Sequence, residues 1–218
     1  MRNLAFLLAM MLLAKNSSAQ IQVSKEPRHH NVFENQWVRI LDVHIPPHDT
    51  SLMHKHSTPS VFMVLSNTKT GSQVLIEPGK PSFSDGNIWF EGFYDKPRVH
   101  RVWNEDTVEF HVVDMELLHP PAADFDSSID LPFSKRLFDE KPVRAFRLTL
   151  SSNKSFNLQG VKYPLVVVGL SGPGAAATVN GKTFTKKGDF LFIPAGGEFS
   201  MSNLNGTGDA QFAVFVLK

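Results

Sequence analysis

The sequence predicts an all-β protein made of antiparallel strands and laid out in two copies. Three observations carry this. From Val32 onward, short runs rich in β-branched and aromatic residues alternate with turn residues; hardly any stretch shows a helical period; and the pattern of the first half returns in the second. The runs VRILDVHI (38–45), SVFMVLS (60–66), SQVLIEP (72–78), RVHRVW (98–103) and VEFHVVDMEL (108–117) are the expected strands of the first copy. Between them PPHD, NTKTG, PGKPSFSDG and NEDT supply the Pro, Gly, Asn and Asp that turns require. Such a set of strands is expected to close into a barrel. Ser134 to Lys141 is the one segment that invites a helical turn or two, following the Pro- and Asp-rich connection from His119 to Pro132.

The repeat is read directly. Val38 to Asn67 aligns without a gap on Val143 to Gly172, at an offset of 105 residues. Val-Arg recurs at the start, Pro59 matches Pro164, Val61 matches Val166, and Leu65-Ser66 matches Leu170-Ser171. Apolar and turn positions keep step, which marks an internal duplication. The second copy continues with a strand, an Asn180-Gly181 hairpin turn and further strands past Gly188-Asp189. NGKT (180–183) superficially matches the end of a phosphate-binding loop, but Ala176 stands where that loop needs glycine, and strand rather than helix follows.

Composition narrows the function classes. The chain has 218 residues, 42% of them hydrophobic, and a net charge of +1. Lys and Arg are scattered among Asp and Glu, so no nucleic-acid surface is expected. The first 19 residues read as a signal peptide: Arg2, an apolar run from Leu4 to Ala14, and small residues before a cut at Gln20. That run is too short for the roughly 20 residues of a spanning helix. The mature protein is therefore expected in the periplasm or outside the cell, with no membrane attachment after cleavage. Without cysteine it has no disulfides and rests on its core.

Chemistry concentrates in PPHDTSLMHKHSTPSVFMVLS (46–66). On a strand, residues i and i+2 share a face, so His54 and His56 aim their imidazoles into one space. His100 lies 44 residues on. Three neutral imidazoles suit a divalent transition metal, with Fe(II), Zn, Ni, Mn and Cu all compatible. Arg98 alternates onto the side of His100 and is a candidate anion contact. His44 and His111 lie in strands and are candidate substrate contacts from the barrel interior. The His29-His30 pair reads as part of an N-terminal tail.

These residues resemble a known family, the cupins, and specifically a two-domain bicupin. The first family motif is G(X)5HXH(X)3,4E(X)6G and the second G(X)5PXG(X)2H(X)3N. His54 and His56 match HXH, while Ser60 stands in place of the glutamate and Asn67 in place of the last glycine. His100 and Asn104 match H(X)3N. In the second half Gly188, Pro194-Ala195-Gly196 and Asn203 match, while Phe199 replaces the histidine; by the gapless offset Gln159 and Val161 replace HXH and Leu165 the glutamate. The resemblance implies two tandem antiparallel jelly-roll barrels, one over 20–120 that binds a metal and a degenerate, structural one over 133–218, joined by a linker at 121–132. It further implies one divalent metal held by His54, His56 and His100, with Ser60 and Asn104 behind them. The three-histidine cupin dioxygenases suggest Fe(II)-dependent oxygenation of a small anionic molecule. A non-catalytic small-molecule or sugar binder, or a metal-dependent isomerase or hydrolase, is the alternative, and a homodimer is compatible with either.

Overall fold

The computed structural model describes residues 20–74, 80–81, 85–126, 128–172, 177–204 and 207–218. Residues 1–19, where a signal peptide is expected, Glu77 and Phe83 lie outside them. Among the described residues there is no α-helix, only one 3-10 turn at Val23–Lys25. Every other element is a strand.

The first barrel contains β1 (Ile21–Gln22), β2 (His29–Glu34), β3 (Val38–Ile45), β4 (His54–His56), β5 (Ser60–Val64), β6 (Thr70–Val74), β7 (Lys80–Pro81), β8 (Ile88–Glu91), β9 (Arg98–Asn104) and β10 (Phe110–Leu117). Its two sheets run β1-β4-β9-β6-β7 and β2-β3-β10-β5-β8. The second contains β11 (Ser134–Asp139), β12 (Val143–Leu150), β13 (Ser155–Leu158), β14 (Leu165–Gly169), β15 (Ala177–Val179), β16 (Lys182–Phe184), β17 (Phe190–Ile193), β18 (Phe199–Ser202) and β19 (Ala210–Leu217). Its sheets run β11-β12-β19-β14-β17 and β13-β18-β15-β16. All pairings are antiparallel except that of β1 with β4.

The duplication is structural down to its irregularities. Val43 pairs with His29 and Leu148 with Ser134, and the same β-bulge interrupts both ladders, between Asn31 and Phe33 and between Arg136 and Phe138. These positions keep the offset of 105. The segment 134–139, expected as helical turns, is thus an edge strand. Its polar and apolar residues are distributed by pairing to β12 and by the bulge, which breaks the two-residue alternation and so disguised the strand. The offset also slips between the copies: His54 faces His100 across β4 and β9, whereas Leu158 faces Phe199 across β13 and β18. The counterpart of His54 by strand pairing is therefore Leu158, not Gln159, which is exposed.

Each barrel has its own core. Leu41, Val43, Ile45, Val64 and Phe110 are among those that fill the first, and Phe146, Leu148, Phe199, Met201 and Phe212 the second. A third apolar cluster lies between the barrels. Val38, Ile40, Val61, Met63 and Met115 from the first meet Val143, Ala145, Val166, Val168 and Phe215 from the second, all of them fully buried. One sheet of each barrel is consequently buried on both faces, which explains the continuous apolar runs in SVFMV and LVVVG. Arg147 of the second barrel donates to the Gly86 carbonyl of the first at 2.6 Å across this junction.

Asn104 and Asn203, the motif asparagines, do the same structural work in each copy. Asn104 Nδ2 donates to the Ile45 and Val108 carbonyls at 3.0 and 2.7 Å, and Asn203 Nδ2 to those of Leu150 and Gly208 at 2.8 and 2.9 Å. Asn104 was expected behind the metal ligands. Its amide is instead spent on locking the β9–β10 turn to the end of β3.

Candidate metal centre

β4 is only three residues long, yet it is held on both sides, by β1 and by β9. Register places His54 opposite His100 and His56 opposite Arg98, so all four side chains share the inward face. The three histidines expose 1, 2 and 8% of their surface. Their ligand atoms lie within 4.8 Å of one another.

Two of the three imidazoles have Nδ1 hydrogen-bonded: His54 Nδ1 donates to the Leu52 carbonyl at 2.8 Å, and His100 Nδ1 is 3.1 Å from the Ser72 hydroxyl. His56 Nδ1 is buried without a hydrogen bond, 3.5 Å from Asp114 Oδ2. The Nε2 atoms remain. His54 Nε2 is buried with no hydrogen-bond partner, and those of His56 and His100 are 3.0 Å apart. Two nitrogens each about 2.1 Å from one ion and at right angles would be separated by about 3 Å. An orphaned buried nitrogen and two that crowd one another are what a common electrophile would relieve. The donor set therefore fits a divalent metal. Electrostatics agrees: burial, with His29 next, holds His54 down to about 4; burial and His54 hold His100 down to about 2; and His56 also lies well below the usual histidine range. The three are neutral ligands over the physiological range.

A fourth histidine is present that the sequence reading set aside. His29 is on β2, buried, with its ring 4.7 Å from that of His54. Its Nδ1 is fixed 2.6 Å from Glu26 Oε2, a carboxylate that also accepts from the Arg28 and Leu52 backbone N–H groups. Burial works against the charge on Glu26, but the bonds from His29 and Leu52 bring its pKa down to about 2. The spacing Glu-x-x-His in EPRHH was the available signal.

Asp114 was missed as well. It lies on β10 opposite Phe62 of β5 and is 1% exposed, with both oxygens buried and without hydrogen-bond partners. Burial pushes its carboxyl well above the usual range. Ser60 shares this inward face, but its hydroxyl donates to the Thr58 carbonyl at 3.0 Å. Asp114 in VVDMEL, flanked by apolar residues and on a strand whose other carboxylate, Glu116, pairs with Arg39, was the clue.

The histidines, Asp114 and Arg98 line a cavity of about 50 Å³ walled by Phe62, Trp89 and Val112. That volume holds an ion and one small ligand, since a water occupies about 30 Å³. Outside it lies an open groove of about 540 Å³ formed by residues 91–98. Arg98 borders both spaces; its guanidinium pairs with Glu91 at 2.6 Å and sits 5.8 Å from the Phe93 ring centre. Phe93, at a φ of 52°, stacks on His56 with 5.5 Å between centres. His44 and His111 do not reach the cavity. Val43, Ile45 and Val112 line it, and strand alternation turns His44 and His111 to the opposite face.

No sequence-family model matches the chain, and no curated protein sequence is similar to it. Solved structures are. A cupin 2 conserved barrel domain protein from Leptotrichia buccalis superposes with a TM-score of 0.53 at 13% identity, covering 85% of this chain and 86% of its own. The chain has the cupin fold. A point mutant (glycine to alanine) of salicylate 1,2-dioxygenase from Pseudoaminobacter salicylatoxidans, in complex with gentisate, gives a TM-score of 0.62 at 12% identity over 96% of this chain and 79% of its own. YhhW from Escherichia coli gives 0.58 at 13% identity, over 88% and 89%. In cupin terms the first barrel keeps the motif histidines and has Ser60 in place of the motif glutamate; Asp114, on the neighbouring strand, lies on the Nδ1 side of His56. The second barrel has Leu158 and Phe199 where His54 and His100 stand.

Proposed function

We propose that the protein is an exported, metal-dependent bicupin whose first barrel oxygenates a small anionic molecule with Fe(II). The observation that carries this reading is the set of three buried, neutral imidazoles whose ligand atoms lie within 4.8 Å of one another, with Nδ1 of His54 and of His100 hydrogen-bonded elsewhere. Bound there, a divalent iron would supply Lewis acidity and a site for O2. The residues around it bind and orient. His54, His56 and His100 bring no charge, so an anionic substrate complements the site in place of the absent glutamate. Arg98 at the border of cavity and groove gives that anion a counter-charge, and the apolar walls of Phe62, Trp89 and Val112 limit water. The small inner cavity admits only the reacting end of such a molecule, with the remainder in the outer groove. Export is supported by the leader-like residues 1–19.

Anaerobic loading of the mature protein with Fe(II), addition of small carboxylates and diketones, and admission of air test this by oxygen uptake. Uptake is expected for at least one of them and is expected to vanish in His54→Ala/His100→Ala. No uptake across the panel, with thermal stability unchanged by that double substitution, would assign the barrel a binding or relic role.

A further inference from the structure

The sheet β2-β3-β10-β5-β8, opposite the one that carries the triad, bears a second cluster on its outer face, at the rim of the seam between the barrels. Val38, Ile40, Asp42 and His44 alternate onto one side of β3, and His111 on β10 is directly opposite His44. Val38 and Ile40 are covered by the second barrel. Past them the cover ends and a groove of about 750 Å³ opens, with Lys186 and Gly188 on its far wall. Here Asp42, His44 and His111 meet, their ligand atoms within 4.8 Å of one another.

Both imidazoles direct Nε2 at the one carboxylate: His111 at 2.7 Å from Asp42 Oδ1 and His44 at 3.1 Å from Asp42 Oδ2. The rings stack at 4.3 Å and 16°. His44 Nδ1 is in turn 2.9 Å from Glu109 Oε2. A neutral imidazole has one N–H and one lone pair, so His44 cannot satisfy two carboxylates at once. It needs a second positive partner, a proton or a metal. With a metal on Nε2, Nδ1–H donates to Glu109, the carboxylate–histidine–metal arrangement. Two carboxylates would then balance a charge of about +2. The ring of His111 is also held in place from the other barrel: a Cβ on Gly188 would fall 3.1 Å from its Cε1.

We propose that Asp42, His44 and His111 form a second divalent-metal site, open to the groove between the barrels, with Glu109 behind His44. Two imidazoles and one carboxylate suit a borderline cation, for which Zn(II) and Co(II) are the probes. The site is independent of the buried triad and faces away from it.

The test is stoichiometry on the mature chain, freed of metal, by Zn(II) calorimetry and by Co(II) absorption. Wild type is expected to bind two equivalents, Asp42→Asn/His111→Gln one, and Glu109→Gln two, with the weaker site about 10–100-fold weaker still. The substituted side chains are partly exposed, and circular dichroism in chelator verifies the fold. One equivalent in wild type, lost in Asp42→Asn/His111→Gln, would keep this site and overturn the triad reading. One equivalent in wild type that survives this variant, or two in both proteins, would overturn the groove site and leave a proton-bridged network of histidines and carboxylates.

Discussion

The Asp114 carboxylate lies 3.5 Å from His56 Nδ1, on the side of the imidazole opposite the convergent Nε2 atoms. The two residues come from different sheets of the first barrel, and both atoms are buried without a hydrogen bond, so each is the other's polar complement. Asp114→Asn is expected to weaken metal binding about 10–100-fold. The metal-free protein should melt at the same temperature or higher, because a buried carboxyl without partners is replaced by a neutral amide. Competition with a chromophoric chelator and a thermal melt measure both; unchanged affinity would remove Asp114 from the site.

Acid should destabilise the metal-free protein. His54 and His100 titrate at about 4 and about 2 in the folded state, and His56 also below its ordinary value of 6.5. The unfolded chain therefore binds more protons below pH 6.5, and stability falls as pH falls from there towards the folded values. Burial shifts Asp114 the other way, which offsets part of this loss. Urea titrations between pH 7 and pH 5 read the dependence. A flat profile would mean that the histidines are not buried neutral.

Asn104→Ala and Asn203→Ala should both destabilise. Each removes two bonds donated by Nδ2, at a cost of about 1–3 kcal/mol, and Asn104→Ala also removes the bond Oδ1 accepts from the Asp106 N–H, so it should cost more; neither should change metal affinity. A selective loss of metal in Asn104→Ala would give that residue a role its hydrogen bonds do not indicate.

Phe199→Ala should cost about 3–5 kcal/mol, since the ring is fully buried and packs edge-on against Phe156 at 5.2 Å. Metal stoichiometry should not move, because the second barrel offers no ligand set there. Urea denaturation and metal analysis on one sample check both halves of the statement.

Much of this was legible beforehand because strand alternation is a strict rule. A two-residue spacing puts His54 and His56 together, and the turn chemistry marks where strands end. The same rule failed where a bulge adds a residue: the edge strand 134–139 resembled helix, and the connection before β13 slipped the repeat by one, so Gln159 appeared where Leu158 stands. His29 was hidden because the Glu26-x-x-His29 spacing is a weak signal, and only the folding of that strand over the cavity gives it meaning. Asp114 was hidden for a different reason: its partner is 58 positions away, and only the closure of the barrel brings them together. For His44 and His111 alternation alone could not choose between two faces, since both faces of that sheet are occupied.

The apolar seam between the barrels has a consequence for how such a chain can change. At the second barrel's counterpart positions Leu158 and Phe199 meet only neighbours of their own barrel, Phe199 packing on Phe156. Ala145, Val166 and Phe215 each answer to a neighbour in the other copy. A half-length version would expose that sheet as a flat, sticky plank and clump. The duplicate that has no visible chemistry is thus the wall against which the reactive one stands.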